Sequence, residues 1–143
     1  MLGAQACAAA SDGVNASEST IHDSTFAWLR AILPRLDRAK PTIVFTHFPL
    51  GEKVTNRPVN ADALLECLLD YNLQAAFSGH WHALTEHPWR RAVLTTDRCC
   101  SRIRFNHDGS KEKGWFVCTA KDGKITRRFV EIPAELQIKT AAL

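Results

Sequence analysis

Three histidines sit where this sequence could use them as metal ligands. His47 closes the apolar run Ile43-Val44-Phe45-Thr46, and Gly79-His80-Trp81-His82 follows a second apolar run, Leu73 to Ser78. Imidazole nitrogens suit Zn, Fe, Mn, Ni or Cu. A His-x-His pair brings two rings close together without needing a helix. Gly79 is expected to supply a tight or left-handed turn between strand and site. His87, with Pro88 behind it, reads as a loop residue, and His22 precedes a helix start. Asn106, His107 and Asp108 run into Gly109 and read as turn residues.

The elements that must position these rings form a β-α-β unit. Residues 42–46 are β-branched and aromatic without alternation, the pattern of a strand buried on both faces. Before it, Asp23 and Ser24 are candidate N-caps for a helix over 25–39, with Phe26, Leu29, Ile32, Leu33 and Leu36 as its apolar stripe. Pro34 should kink or shorten that helix. After the polar loop GEKVTNRPVN, in which Arg57 and Asn60 could touch a substrate, a helix over 61–71 is expected. Asn60 caps it, and Leu64, Leu65, Leu68 and Leu69 turn inward. LQAAFSG then makes a second buried strand, parallel to the first. Ligands of such sheets bind beyond the carboxyl ends of the strands. With strands ~4.8 Å apart, His47, His80 and His82 can converge there.

The remainder changes character. RRAVLTTD, SRIRFNH, GWFVCTA and KITRRFVEI are four strand-like pieces, with Asp108-Gly109 and Asp122-Gly123 as hairpin dipeptides. They predict an antiparallel strand meander. Residues 1–22, rich in Ala, Ser and Asn, read as a loosely ordered start with a short strand at its beginning.

The totals exclude several classes. A chain of 143 residues is a single domain with one core. A net charge of +3 is too mild for a nucleic-acid binder, and Arg90-Arg91 and Arg127-Arg128 read as solvated edges. Five cysteines without a C-x-x-C make neither a disulfide framework nor a zinc finger, which favours a reducing, cytoplasmic setting. No apolar run reaches the ~20 residues of a membrane span.

The ordered set Thr46-His47-Phe48-Pro49, then Gly79-His80-Trp81-His82, then the strand-rich tail resembles the carboxyl-terminal half of the calcineurin-like metallophosphoesterases. The resemblance spans roughly residues 20–132, including FAWLRAILPRL as the helix before the His strand. It implies an αββα sandwich, of which this chain would be a partial domain, and hydrolysis of a phosphate ester through two divalent ions (Mn, Fe, Zn or similar). His47 and His80 would serve one ion and His82 the other.

The family's upstream motifs, Asp-x-His, Gly-Asp-x-x-Asp and Gly-Asn-His-Asp/Glu, are missing from these residues. No catalytic residue is therefore assigned, and the substrate is not specified. Two ions ~3.5–4 Å apart repel strongly, and three neutral imidazoles offset none of that repulsion. At most one ion is expected in this chain alone. The expected partner is an amino-terminal half or a second chain that supplies carboxylates and covers the remaining sheet face. The alternative is a non-catalytic, degenerate relative or interaction module of the same fold. A free-standing mononuclear zinc hydrolase would need Glu52 or Glu86 as its base.

Overall fold

A computed structural model describes residues 5–9, 11–12, 19–101 and 104–133, the first two stretches by backbone only. Five strands form the central sheet: β1 (Gln5–Ala9), β4 (Thr42–Thr46), β5 (Leu73–Ser78), β6 (Thr85–Trp89) and β7 (Ala92–Thr96). Their order is β1-β4-β5-β7-β6. β1, β4, β5 and β7 run parallel, and β6 lies antiparallel on the β7 edge. Two short strands, β2 (Ser11–Asp12) and β3 (Thr20–Ile21), pair separately. The strand expected at the start of the chain is thus β1. β8 (Gly114–Lys121) and β9 (Lys124–Glu131) form an antiparallel hairpin.

The helices are shorter than expected. α1 (Asp23–Ile32) gives way to a 3-10 turn at Leu33–Arg35, as the missing N–H of Pro34 requires. His22, rather than Asp23 or Ser24, stands at its N-cap, and its carbonyl accepts from the Thr25 and Phe26 amides. α2 (Ala61–Glu66) ends early, and Leu68, Leu69 and Tyr71 continue as tighter turns bonded three residues back. That tightening rotates Leu69 outward, to 42 % exposure, against the inward position expected of it. Asn60 does not cap α2 through its side chain. Its amide instead pairs with both backbone groups of Ile21, at 2.8 and 2.9 Å, and fixes β3 to the loop.

The two faces of the sheet bury different things. Val44, Ala76 and Leu94 face the helices and join Leu29, Leu33, Leu64, Leu65 and Leu68 in the main core. Each such leucine contributes about 1.5–3 kcal/mol by leaving water. Ile43, Ala75 and Phe77 face the other way, onto Phe116, Cys118 and Ile125 of the hairpin. This hairpin covers only part of that face. Phe45 stacks on Phe77 at 5.8 Å yet stays 44 % exposed, so β4 is not buried on both faces as expected.

The antiparallel meander expected after β5 is not found as such. β7 pairs parallel with β5, and only its partner β6 is antiparallel. β6 was not expected, because Pro88 interrupts it. An edge strand tolerates a proline whose missing N–H faces solvent. Of SRIRFNH, residues 102–103 lie outside the described residues, and the others form no strand. The hairpin at Asp122-Gly123 is as expected, with both residues at positive φ, 48° and 73°. Asp108-Gly109 closes a loop turn instead, with the Gly109 amide bonded to the Asn106 carbonyl at 3.2 Å.

Candidate functional site

His47 leaves the carboxyl end of β4 and His80 leaves that of β5. The two loops are joined directly, since the Gly79 N–H donates to the His47 carbonyl at 3.1 Å. After His47 the chain reverses, held by the Thr46 hydroxyl donating to the Phe48 carbonyl at 2.7 Å. Phe48, Pro49 and Leu50 then dive into the interior. Phe48 also packs on the His80 ring, with centroids 4.2 Å apart. Register and anchoring therefore bring the two imidazoles together, with His47 Nε2 3.0 Å from His80 Nδ1 and the rings nearly perpendicular at 78°.

That contact is a hydrogen bond in which one ring donates and the other accepts. It is also close to the separation an ion requires. Two imidazole nitrogens at ~2.0–2.1 Å from a tetrahedral zinc lie about 3.3 Å apart. His47 and His80 thus fit as two ligands of one such ion after a small rotation. The third histidine keeps different company. The neighbour of the His82 ring is His107, with centroids 6.0 Å apart and planes within 18°. Among the described residues, no three His, Cys, Asp or Glu side chains gather in a geometry that could hold a metal ion. The expected three-imidazole convergence is met by two rings. Among the described residues, these side chains by themselves do not complete a one- or two-metal centre.

Gly79 is not the left-handed residue expected of it. His80 (φ 61°) and His82 (φ 49°) adopt that conformation themselves, at a cost of about 1–2 kcal/mol each. A Cβ on Gly79 would meet nothing within 4 Å. The alternation of His80 and His82 in left-handed geometry sends the chain back towards β6.

The wall of the site comes from the loop between β7 and β8. The His107 ring stacks face to face on Trp81 at 4.6 Å and 9°, and the His107 backbone amide donates to the His82 carbonyl at 2.9 Å. Asp108 accepts from the Leu84 amide at 3.1 Å and so clamps the same two loops. Asn106, buried to 5 % exposure, ties this loop from within. Its Oδ1 accepts from the Cys99 amide, and its Nδ2 donates to the carbonyls of Ser110 and Glu112. Asn106 and Asp108 are the turn-forming residues expected. His107 is more than that, because it meets the site, and only its spatial partner Trp81 reveals it.

The surroundings of His80 and His82 disfavour a proton on either ring. Burial, then the neighbouring His47 and His82, hold the His80 pKa below its ordinary value. Burial, then Arg104, His107, Lys113 and His47, do the same for His82. The carboxylate nearest in topology is Asp97, just beyond β7, whose N–H donates to the Ser78 carbonyl at 2.8 Å. Burial pushes its pKa up, against the Arg98 amide that favours the charged form. Glu52 and Glu86 serve elsewhere, in a second pocket lined with Arg57 and His87 and in an ion pair with Arg127 at 2.9 Å. That pair also corrects the reading of Arg127 as a solvated residue. His87 lies on β6, not in a loop, against Gly51. Arg57 donates to the Leu50 carbonyl and pairs with Asp62, so its fork is engaged within the fold.

No protein-family model matches this sequence, and no curated protein matches it either. The mixed α/β architecture is established by the strand pairing.

Proposed function

We propose that this chain supplies the imidazole side of a metal-dependent phosphoesterase site, of the calcineurin-like kind its motifs resemble. The observation that carries the reading is the 3.0 Å approach of His47 and His80 across the ends of two parallel strands. Neutral rings are what a divalent ion requires, and the lowered pKa of His80 favours that form. Arg104 and Lys113, whose charges reach His82, suit an anionic phosphate ester beside the ion. Bound divalent ions would acidify water and neutralise charge on the phosphoryl oxygens. The chain's own part is to aim His47 and His80 and to wall the site with Trp81 and His107. His82 serves a second ion only once carboxylates arrive from an amino-terminal half or a partner chain. We further infer a cytoplasmic setting, supported by Cys67, Cys99, Cys100 and Cys118 being free thiols. Among the described residues no helix is long and apolar enough to cross a membrane.

The test is hydrolysis of a chromogenic phosphate ester, with Mn²⁺ or Zn²⁺, by the chain alone and by the chain extended with the in-frame sequence encoded upstream of Met1. Activity in the extended form that disappears in His47→Ala and His80→Ala supports the reading. Undiminished activity in either variant overturns it. A second reading, a non-catalytic module of the same fold, is favoured by His107, rather than a carboxylate, standing next to His82. It expects an extended chain that neither retains metal nor hydrolyses the ester.

A further inference from the structure

A second concave site opens at the opposite end of the sheet, at the amino ends of β5 and β7. It is a cavity of about 350 Å³ between the sheet and the β8–β9 hairpin, within the size range of small-molecule sites. Its apolar wall is Ala75, Val93 and Ile125, and its cations are Arg91, Lys124 and Arg127. Among the described residues, no carboxylate lines it.

The charge balance is specific. Arg127 is neutralised by Glu86 at 2.9 Å and also donates to the Thr95 hydroxyl. Neither Arg91 nor Lys124 has an ion-pair partner among the described residues. Two cations without an ion-pair partner among the described residues therefore line the cavity.

The cavity is also built rather than incidental. The Gln74 side chain donates to the Gly123 carbonyl at 2.9 Å and accepts from the Ile125 amide at 2.7 Å. These two bonds flank Lys124 and fix its backbone above the start of β5. Arg91 is set by the turn between β6 and β7, where Trp89 pairs with Ala92.

We propose that this cavity binds a small organic phosphate, its dianionic group between Arg91 and Lys124 and its apolar body against Ala75, Val93 and Ile125. A phosphomonoester carries about −1.5 to −2 charge near neutral pH, which matches the two free cations. A carboxylate would leave one of them unpaired. Arg91 can grip two oxygens with its planar fork, while Lys124 acts as a point charge. The site lies at the far strand ends from His47 and His80 and stands independently of the phosphoesterase reading.

The test titrates phenylphosphonate, which is not an ester and cannot be hydrolysed as one, into the full chain. Calorimetry gives the affinity, and amide NMR shifts give the location. Saturable binding that moves the Val93, Gly123 and Ile125 amides is expected. Arg91→Gln and Lys124→Gln should each weaken it about tenfold or more, the worth of one charged hydrogen bond. His80→Ala should leave it unchanged. Both replaced side chains are exposed, so folding is retained. Unsaturable shifts, an affinity unchanged from the unsubstituted chain in either Arg91→Gln or Lys124→Gln, or loss of binding in His80→Ala would each overturn the proposal. Benzoate bound as tightly as phenylphosphonate would refute the requirement for a dianion.

Discussion

Asn106 offers the sharpest test of how the site is held. Asn106→Ala removes four hydrogen bonds, one to Oδ1 and three from Nδ2. They are not equivalent. The Cys99 amide belongs to a residue only 6 % exposed, so losing its 2.8 Å acceptor strands a buried donor, at about 1–3 kcal/mol. Ser110 and Glu112 are more open, and water can reach their carbonyls, so each loss there is about 0.5–1.5 kcal/mol. The expected total is ~3 kcal/mol, a large share of the ~5–15 kcal/mol that holds a domain together. Urea unfolding followed by tryptophan fluorescence measures it. The same substitution should loosen His107 from Trp81 and draw Arg104 and His107 away from His82. The His82 pKa, read by proton NMR, should then climb back towards its ordinary value. Asn106→Asp keeps the acceptor for Cys99 but turns a carboxylate oxygen towards two carbonyls. It should cost at least as much at pH 7 and recover partly on acidification. A destabilisation below about 0.5 kcal/mol in Asn106→Ala, the usual size of an inert surface change, would refute this account of the loop.

Zinc titration of the full chain should show one weak site, lost in either His47→Ala or His80→Ala. Outer-shell changes alone cost metal sites about 10–100-fold in affinity, so removal of a direct ligand should cost no less. Asp97→Asn should raise stability at pH 7. Because the folded pKa of Asp97 is raised, its favourable contribution is complete below the unfolded value of ~3.9 and is lost as pH rises through the folded value. The gain from the amide should therefore vanish below about pH 4 in denaturation curves taken across pH. Gly114→Ala should destabilise by about 1–3 kcal/mol, because the new methyl would lie 2.2 Å from the Val130 carbonyl oxygen and 2.6 Å from the Phe129 ring. Thermal unfolding measures that loss directly.

The β-α-β frame was legible because β4 and β5 are short, largely apolar runs on either side of a helical pattern, although the exposure of Phe45 shows that β4 is covered fully on one face only. The approach of His47 and His80 followed from that frame and the position of each ring one or two residues past a strand. β6 was hidden because Thr85 to Trp89 carries Glu86, His87 and Pro88, a composition that only a sheet edge tolerates. The parallel pairing of β7 was hidden for a different reason. Its neighbour β5 is distant in sequence, while the turn at Arg90-Arg91 advertises only the local antiparallel partner. His107 joined the site through stacking on Trp81, a contact made by two loops whose spacing carries no periodic signal. The conformation of Gly79 was misjudged because glycine is usually the residue that takes a left-handed turn, and here two histidines take it.

The sheet order also sets a timetable for the emerging chain. β6 and β7 can zip as soon as both have left the ribosome, because only Arg90 and Arg91 separate them. β1 must wait for β4, since Gln5 pairs with Thr42. At roughly 5–20 residues per second, synthesis leaves β1 without β4 for seconds. During that interval its hydrogen-bonding edge is open to any other strand, and crowded polysomes making this protein would be where mispairing begins.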